Sequence, residues 1–455
     1  MEQFTKLTAD VAGFMWGWPL LVLLLGTHLF LTFRLRFVQR HIGKAIKLSV
    51  TKDEQSEGEI SQFSALSTAL AATIGTGNIV GVATAVAIGG PGAVLWTWLT
   101  GVLGIATKYS EGLLAVKYRV KHDDGSFSGG PMYALEFGLK SKTLAVLFAI
   151  FTAVASFGIG SSIQANSLTA AMHDTFGFDK YYIAIVVFIL SAAVTLGGIK
   201  SISKVCNALV PFMAIFYILG CLYILISGYG NLLNTIILIA KTAFTGQAAV
   251  GGFVGSTIMM AARYGVARGL FSNESGLGSA PIVAAAAQTR NPVRQALVSS
   301  TGTFWDTVVV CALTGLVLVN TGAWAGGGQG MQITKLAFSH IPHVGGIFLC
   351  IALVTFTFST IIGWSYYAEK AVEYLFGRKS IIYYRVIYLI TVYLGCILSL
   401  DLVWNLGDIF NGLMAIPNLI CLVLLSGVVV AETKKYLWNK KLDEYAPIEI
   451  VKEEE

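Results

Sequence analysis

Four residues of low helix propensity interrupt an apolar segment near the start of the chain. The segment ALAATIGTGNIVGVATAVAIGG (69–90) contains in its middle Gly75, Thr76, Gly77 and Asn78. Hydrocarbon offers no partner for a freed peptide group, so a helix breaks at that depth only against protein or a polar cavity. Such a break turns N–H groups toward an anion and carbonyl groups toward a cation. Close helix packing through the small-xxx-small pair Gly77 and Gly81 is the alternative explanation.

A second run of small and polar residues lies in the other half of the chain. The stretch LFSNESGLGSAP (270–281) has the composition of a second break, and GGFVGSTIMM (251–260) is an earlier alternative. A late break leaves Arg263 inside the membrane, where it needs a partner, and Glu274 is the candidate for that role. A zwitterionic amino acid, with opposite charges on adjacent atoms, suits the paired helix ends that a break creates.

The composition predicts an all-α polytopic membrane protein. Of the 455 residues 55% are hydrophobic and 12% are charged, with a mean hydropathy of +0.71, whereas soluble domains carry about 25% charged residues. Runs long enough to cross a hydrocarbon core of about 30 Å number about eleven. They are 11–33, 61–89, 93–115, 143–172, 181–199, 205–227, 251–287, 296–319, 344–368, 381–400 and 402–430.

The distribution of charge predicts the orientation and excludes a nucleic-acid partner. Most of the 31 Lys and Arg residues fall on one side when the N-terminus is outside and the C-terminus cytoplasmic. The net charge of +6 then belongs to loops that face anionic lipid rather than to a surface for RNA or DNA. The six cysteines lie in apolar runs without CxxC spacing, which indicates packing rather than a metal site.

The spans suggest a repeat of opposite topology. When the N-terminal span is set aside, ten spans remain. The sixth of these ten crosses the membrane in the direction opposite to the first of the ten, as expected for a 5+5 inverted repeat. The predicted organisation is an N-terminal helix and basic loop (1–60), a first repeat (61–228), a second repeat (229–430) and an acidic cytoplasmic tail (431–455). The short segment 231–244 is expected to be an amphipathic connector or part of a gate.

Three motifs resemble those of the alanine or glycine:cation symporters. They are GTGNIVG (75–81), GGPGAVLWTWLTG (89–101) and RGLFSNESGLGSAP (268–281). This resemblance implies a leucine-transporter-like fold with one extra N-terminal helix, located in the plasma membrane, and sodium-coupled uptake of alanine or glycine by alternating access. The stretch TRNPVRQAL (289–297) is similar to the loop that follows the second break in related transporters, and so favours the later position of that break.

The resemblance also implies a set of ligand-binding residues. The substrate site would use the first break, through Thr73, Gly75, Thr76, Gly77 and Asn78, and the second, through Phe271, Ser272, Asn273 and Gly276. Apart from the resemblance, the amide of Gln164 is expected to bond the substrate or a neighbouring helix, and Trp364 either limits the side-chain size or is a packed aromatic. The sodium site would combine the carbonyls of Ala71, Ile74 and Phe356 with the hydroxyls of Ser359 and Thr360. Bonds from these hydroxyls back to their own helix are the alternative.

Other functional classes have less support in the sequence. A membrane-embedded enzyme would need a nucleophile–base pair, a metal cluster or clustered carboxylates, and the chain has no GxSxG, HExxH or Walker lysine motif. A channel would need polar rings and usually oligomeric symmetry. A proton-coupled transporter remains the alternative, although a hydroxyl pair offers no titratable carrier. No cofactor other than Na⁺ as coupling ion is expected, and the partners are alanine or glycine, Na⁺ and the lipid bilayer.

Overall fold

The protein is a bundle of helices, seen here in a computed structural model that describes residues 2–51, 56–247, 253, 255–328, 330–398 and 401–445. Between these helices the described residues form one two-stranded ribbon, β1 (Val120–Lys121) with β2 (Phe127–Ser128). The tail beyond residue 445, which the sequence predicts to be acidic and cytoplasmic, lies outside the described residues.

The predicted first span 11–33 falls within the apolar stretch Gln3–Arg34, which is long enough to cross a membrane once and consists of two consecutive helices. Helix α1 (Glu2–Met15) and helix α2 (Trp18–Arg34) meet at Trp16 and Gly17, and Pro19 stands in the first turn of α2. Proline suits that position because its missing N–H would have no intrahelical partner there. A short helix, α3 (Ile42–Ser49), follows.

The predicted first break is present. Helix α4 (Gln62–Thr73) and helix α5 (Gly77–Gly89) are bent by 53° relative to one another. The Ser61 side chain caps α4 by accepting from Ser64 N, and α4 ends where Ile74 adopts an extended conformation (ψ 97°). Helix α6 (Ala93–Lys117) follows, and after the ribbon come α7 (Pro131–Tyr133), α8 (Lys142–Phe176), α9 (Lys180–Thr195), α10 (Gly198–Ser227) and α11 (Leu232–Thr245).

The second break lies at the later of the two positions considered. Helix α12 (Ile258–Asn273) ends at Glu274, whose φ of +53° is left-handed, and helix α13 (Pro281–Ala284) resumes after it. The earlier stretch precedes α12 or lies partly outside the described residues. The expected pair between Arg263 and Glu274 is wrong, because Arg263 Nη2 donates to the Gly13 carbonyl of α1 at 3.2 Å.

The remaining helices complete the bundle. They are α14 (Pro292–Asn320), α15 (Gly330–Phe338), α16 (Gly345–Phe376), α17 (Ile381–Ile397), α18 (Asp401–Leu424) and α19 (Ser426–Thr433). Helix α16 packs against α4 and α8, and α12 packs against α5 and α6. The segment predicted as a short connector, 231–244, is the helix α11.

Fewer helices than the predicted eleven meet a strict criterion for crossing a membrane. Seven of the described helices are long and apolar enough, or eight when α4 and α5 count as one bent span. The shortfall arises where helices are short or polar. Helix α9 has 16 residues, and α6 carries Lys108 and Glu111 on a buried surface. Each predicted run nevertheless overlaps at least one of the described helices, although 251–287 includes the break after α12. Polar groups inside the bundle are compensated by protein rather than by lipid.

The approach of α16 to α4 depends on one glycine. A Cβ atom added to Gly363 would lie 2.8 Å from the backbone nitrogen of Ala72, so the two helices touch almost backbone to backbone. Gly346, on the same helix, has no atom within 4 Å of such a Cβ.

We therefore expect Gly363→Ala to lower the apparent melting temperature of the purified protein in detergent. Overpacking of this kind costs about 1–3 kcal/mol, and the clash is with backbone that cannot rotate away. Gly346→Ala is the matched control and should leave the melting temperature unchanged or raise it slightly, because alanine favours a helix over glycine by about 1 kcal/mol. Equal melting temperatures for the two variants would contradict the close approach.

Candidate functional site

The first break is stabilised by an asparagine side chain. Asn78 Oδ1 accepts a hydrogen bond from the backbone nitrogen of Gly75 at 2.9 Å, and its Nδ2 donates to Asp306 Oδ1 at 2.6 Å. The Asn78 nitrogen itself donates to the Gly75 carbonyl at 3.3 Å. Two of the backbone groups that the break frees are therefore satisfied by one residue, which allows the chain to stay unwound without water.

Asp306 joins the two broken helices. Its carboxylate, 1% exposed, accepts from Thr307 Oγ1 at 2.6 Å and from Ser272 Oγ at 3.0 Å as well as from Asn78. Ser272 lies in the last turn of α12, so a single carboxylate of α14 connects both breaks. The polar positions in the two breaks thus lie together although about 200 residues of sequence separate them.

The five residues predicted to bind sodium lie together. Ser359 Oγ is 3.0 Å from the carbonyl oxygen of Ala71, 3.4 Å from that of Ile74 and 2.8 Å from that of Phe356. Thr360 Oγ1 is 3.3 Å from the Ile74 oxygen and 3.0 Å from the Phe356 oxygen. The hydroxyls therefore bond back to their own helix, as the alternative expects, and also lie within 3.4 Å of the carbonyls at the end of α4. We call these five oxygens the oxygen cluster.

The oxygen cluster has the chemistry of an alkali-cation site. All five atoms are uncharged oxygens, and hard cations are bound through oxygen ligands. Within the described residues no group of three or more His, Cys, Asp or Glu side chains could hold a metal ion, so a transition-metal centre has no support there. The carbonyls of Ala71 and Ile74 belong to the end of α4, where a helix presents unpaired oxygens and negative dipole charge.

A small cavity adjoins the oxygen cluster. We call it the central cavity; its volume is about 20 Å³, roughly the space for one or two water molecules. Six of its lining residues are among those expected in the substrate site, namely Thr73, Gly75, Gly77, Gln164, Phe271 and Trp364, and one belongs to the oxygen cluster, Thr360. The other four are Ala72, Ile159, Glu274 and Asn411.

Gln164 and Trp364 hold the wall of this cavity in place. Gln164 Oε1 accepts weakly from the Thr76 nitrogen at 3.4 Å, and its Nε2 donates to the Ile159 carbonyl at 3.0 Å. Trp364 Nε1 donates to Glu274 Oε1 at 3.0 Å. The amide therefore contacts a neighbouring helix and the cavity at once, and the tryptophan is both a packed aromatic and a lining residue.

Some residues of the predicted substrate site do not line the central cavity. Thr76, Asn78 and Ser272 lie behind it, in the hydrogen bonds described above. Asn273 Nδ2 reaches Thr100 Oγ1 at 3.4 Å and its Oδ1 accepts from Ser275 N at 2.9 Å. Gly276 N donates to Glu111 Oε1 at 2.9 Å. These residues shape the second break rather than the cavity wall.

One aromatic residue is shared by the central cavity and a larger recess. Phe271 lines both the central cavity and a larger recess of about 240 Å³ formed by α1, α12 and α18. The Trp16 ring lies edge-on to Phe271 with centroids 6.1 Å apart, and Trp16 Nε1 donates to the Asp408 carbonyl at 3.0 Å.

On the opposite side the chain is closed by backbone hydrogen bonds. Ile60, just before α4, exchanges bonds with Ala286 and Gln288 beyond α13, at 3.2 and 2.8 Å. Arg119, 1% exposed, donates to the carbonyls of Ala285 and Ala287 at 3.0 and 2.9 Å. The base of the first broken helix and the end of the second are thereby joined.

Two polar lining residues were not predicted as ligands from the sequence. Glu274 was noticed as an acid inside a membrane segment, which is a signal of function, but it was assigned to Arg263. Asn411 is an amide within the apolar run of α18, and nothing in the sequence spacing relates it to the breaks. Ile159 gives no signal either, because an isoleucine in a membrane helix is ordinary.

Comparison with known proteins agrees with this geometry. The model of the sodium:alanine symporter family matches residues 1–449. The chain is 52% identical to the sodium/alanine symporter AgcS of Methanococcus maripaludis over 95% of this chain and 97% of that one. It is 36% identical to the probable sodium/glutamine symporter GlnT of Bacillus subtilis over 97% of this chain and 92% of that one.

A solved structure supports the fold. MhsT, in its complex with L-phenylalanine, matches with a TM-score of 0.59 at 15% sequence identity, over 85% of this chain and 95% of that one. MhsT has the leucine-transporter fold, so the predicted fold class is confirmed. With the match over nearly its whole length, the chain belongs to the sodium:alanine symporter family.

Proposed function

We propose that this protein carries alanine or glycine into the cell together with Na⁺. The observation that supports this most directly is the position of Gly75 between the oxygen cluster and the central cavity. A Cβ atom added there would lie 2.6 Å from Thr360 Oγ1 and 3.3 Å from Gln164 Oε1. One residue without a side chain thus separates the oxygen cluster from the central cavity. The Na⁺ site and the amino-acid site would therefore have this residue in common.

The small cavity favours a small amino acid. Ile159, Phe271 and Trp364 bound it, and even alanine requires these side chains to move outward. A larger side chain requires a larger displacement of well-packed groups, which costs about 1–3 kcal/mol or more. AgcS is named for alanine and GlnT for glutamine, so members differ in substrate, and the size of this cavity supports alanine or glycine here. Discrimination against serine would be only partial, because contacts alone exclude one extra group weakly.

The position of Gly75 between the two sites gives a physical basis for coupling. A sodium ion in the oxygen cluster would join the end of α4 to α16 and so order the unwound residues 74–76. The Gly77 N–H and the weakly bonded N–H groups of Thr76 and Asn78, at 3.4 and 3.3 Å from their present acceptors, would then be available to the substrate carboxylate, and the Thr73 carbonyl to its ammonium group. Because binding free energies are linked, each ligand would tighten the binding of the other by the same factor.

The unequal closure of the two sides supports alternating access. With the N-terminus outside and the C-terminus cytoplasmic in the plasma membrane, the recess beneath Trp16 faces outward and the Arg119 contacts face inward. Rotation of the Phe271 ring would join the central cavity to the outer recess. Inward release would instead require the bonds around Ile60 and Arg119 to open. The inverted repeat 61–228 and 229–430 offers the two similar halves for this exchange.

The central experiment is uptake of radiolabelled alanine by proteoliposomes under an imposed sodium gradient. We expect uptake to require Na⁺, and we expect Li⁺ to replace Na⁺ in part. The sodium concentration for half-maximal uptake should depend little on pH, because the oxygen cluster has no titratable group. Unlabelled glycine should compete fully, serine partially and leucine poorly. Uptake driven by a proton gradient without Na⁺ would contradict sodium coupling and support the proton-coupled alternative.

A conservative substitution tests the oxygen cluster. Thr360→Val keeps the shape of the side chain and removes the hydroxyl that faces Ile74, so the sodium concentration for half-maximal uptake should rise about tenfold or more, as expected for the loss of one ligand worth about 1.5 kcal/mol. Uptake at saturating Na⁺ should be affected less.

Thr357→Val is the matched control for that substitution. Thr357 is buried on the same helix, and its hydroxyl bonds only the carbonyls of Leu353 and Val354, one turn earlier, at 2.7 and 3.2 Å. Its sodium dependence should equal that of the unmodified protein. An unchanged sodium dependence in Thr360→Val as well would remove Thr360 from the cation site.

A further inference from the structure

The central cavity contains two polar side chains that the proposed function has not yet used. Glu274 lies at the end of α12, and Asn411 lies in α18. Both line the cavity together with Thr73 and Gly77, and they are 5% and 1% exposed. Polar groups buried to this degree need partners, since leaving one unsatisfied costs about 1–3 kcal/mol.

The hydrogen bonds of Glu274 leave it with unused acceptor capacity. One carboxylate oxygen accepts from Trp364 Nε1 at 3.0 Å and the other from Ser279 Oγ at 2.6 Å. An ionised carboxylate offers about four acceptor positions, and the indole nitrogen can only donate. Both bonds therefore suit an ionised carboxylate, and about one acceptor position on each oxygen remains.

The charge of Glu274 lacks a direct counterion in the protein. Among the described residues no Lys, Arg or His nitrogen forms an ion pair with it within 4 Å. Lys108, a buried cation that lines a pocket with Thr73 and Asn273, forms an ion pair with Glu111 at 3.8 Å and acts on Glu274 only from beyond 4 Å. A buried carboxylate is stable when it is both hydrogen-bonded and paired with a positive charge, so a cationic group within the cavity would complete its surroundings.

Asn411 points to the same kind of ligand. Its Oδ1 atom is buried and has no hydrogen-bond partner, although it lines the cavity. An ammonium group donates three hydrogen bonds. Three residues that line the cavity carry acceptors of the matching kind: Thr73 has its carbonyl at the end of α4, Glu274 its carboxylate and Asn411 its Oδ1 atom.

We infer that Glu274 and Asn411, with the Thr73 carbonyl, form the subsite for the ammonium group of the transported amino acid. The inference rests on the proposed function, because it assigns a role within the same cavity. Glu274 supplies the charge and Asn411 a neutral acceptor, while the N–H groups of the first break hold the substrate carboxylate. The first break thus binds the carboxylate, whereas the ammonium group is bound by Glu274 of the second break together with Thr73 and Asn411, and the subsite selects amino acids over hydroxy acids of the same size.

The test compares alanine with L-lactate, which replaces the ammonium group by a hydroxyl. Binding is measured with radiolabelled alanine on the purified full-length protein at saturating Na⁺, and lactate is scored as a competitor. In Glu274→Gln the Kd for alanine should rise about 10- to 100-fold, the range expected for a hydrogen bond to a charged group. The preference for alanine over lactate should fall by a similar factor.

The control variant is Glu432→Gln. Glu432 pairs with Lys117 at 2.7 Å at a partly exposed position away from the cavity, so neither the alanine affinity nor the preference over lactate should change. A second variant, Asn411→Leu, should weaken alanine binding several-fold without altering sodium dependence, because it removes only the neutral acceptor.

A double variant that moves the carboxylate from α12 to α18 tests whether the preference for alanine over lactate can be restored. In the double variant Glu274→Gln with Asn411→Asp the carboxylate is present on α18 instead of α12, and the preference for alanine over lactate should return in part. A carboxylate that only braces the second break would behave differently: its loss would weaken alanine and lactate equally, leave their ratio unchanged, and not be restored from α18.

Two results would overturn the inference while leaving the proposed function intact. One is an unchanged ratio of alanine to lactate affinity in Glu274→Gln. The other is a changed sodium dependence with unaltered alanine affinity at saturating Na⁺, which would assign Glu274 to a second cation. Failure of the unmodified protein to take up alanine with Na⁺ would instead refute the proposed function itself, so the two failures are distinguishable.

Discussion

The structure depends on one constraint: a peptide group inside a membrane must find a partner within the protein. An unwound segment violates this unless side chains take the place of the helical bonds. Asn78 does so for Gly75, and Asp306 in turn binds Asn78 and Ser272. Because the two breaks share one carboxylate, neither is stable in its observed form without the other. The same hydrogen bonds that make the unwound segment tolerable leave the carbonyls of Ala71 and Ile74 facing the hydroxyls of Ser359 and Thr360.

This arrangement explains why the ligand-binding groups are mostly backbone atoms and small side chains. Helix ends carry partial charges that need no counterion and cost little to bury. The oxygen cluster consists of three carbonyls and two hydroxyls, and among the described residues that line the central cavity Glu274 is the one acid. An acid at that place changes the charge of the cavity by a full unit, which is a stronger effect than any helix end. Its location in the second break therefore separates the roles of the two broken helices.

Much of this could be predicted from the sequence, and the remainder could not for definite reasons. The break at residues 75–78 and the hydroxyl pair Ser359 and Thr360 have local signatures, because glycines and paired hydroxyls are unusual at mid-span. The partners of Glu274 had no such signature. Arg263 is closer to Glu274 in sequence than Trp364 is. The unwound chain nevertheless turns Glu274 away from α12, so proximity in sequence predicts the wrong partner for its carboxylate. Asn411 depends in the same way on how α18 packs.

The criterion of length and apolarity finds fewer membrane spans than the predicted eleven for a related reason. A criterion of length and apolarity assumes that a helix faces lipid, whereas α6 lies inside the bundle with Lys108, Glu111 and Ser110 all buried. Its polar residues bind other helices: Glu111 accepts from Gly276 and from Asn418, at 2.9 and 2.8 Å. Those contacts hold the second break at Gly276, and Asp306 holds it at Ser272. A polar helix is therefore a requirement of this fold, because a broken helix needs hydrogen-bonding neighbours that an apolar one cannot supply.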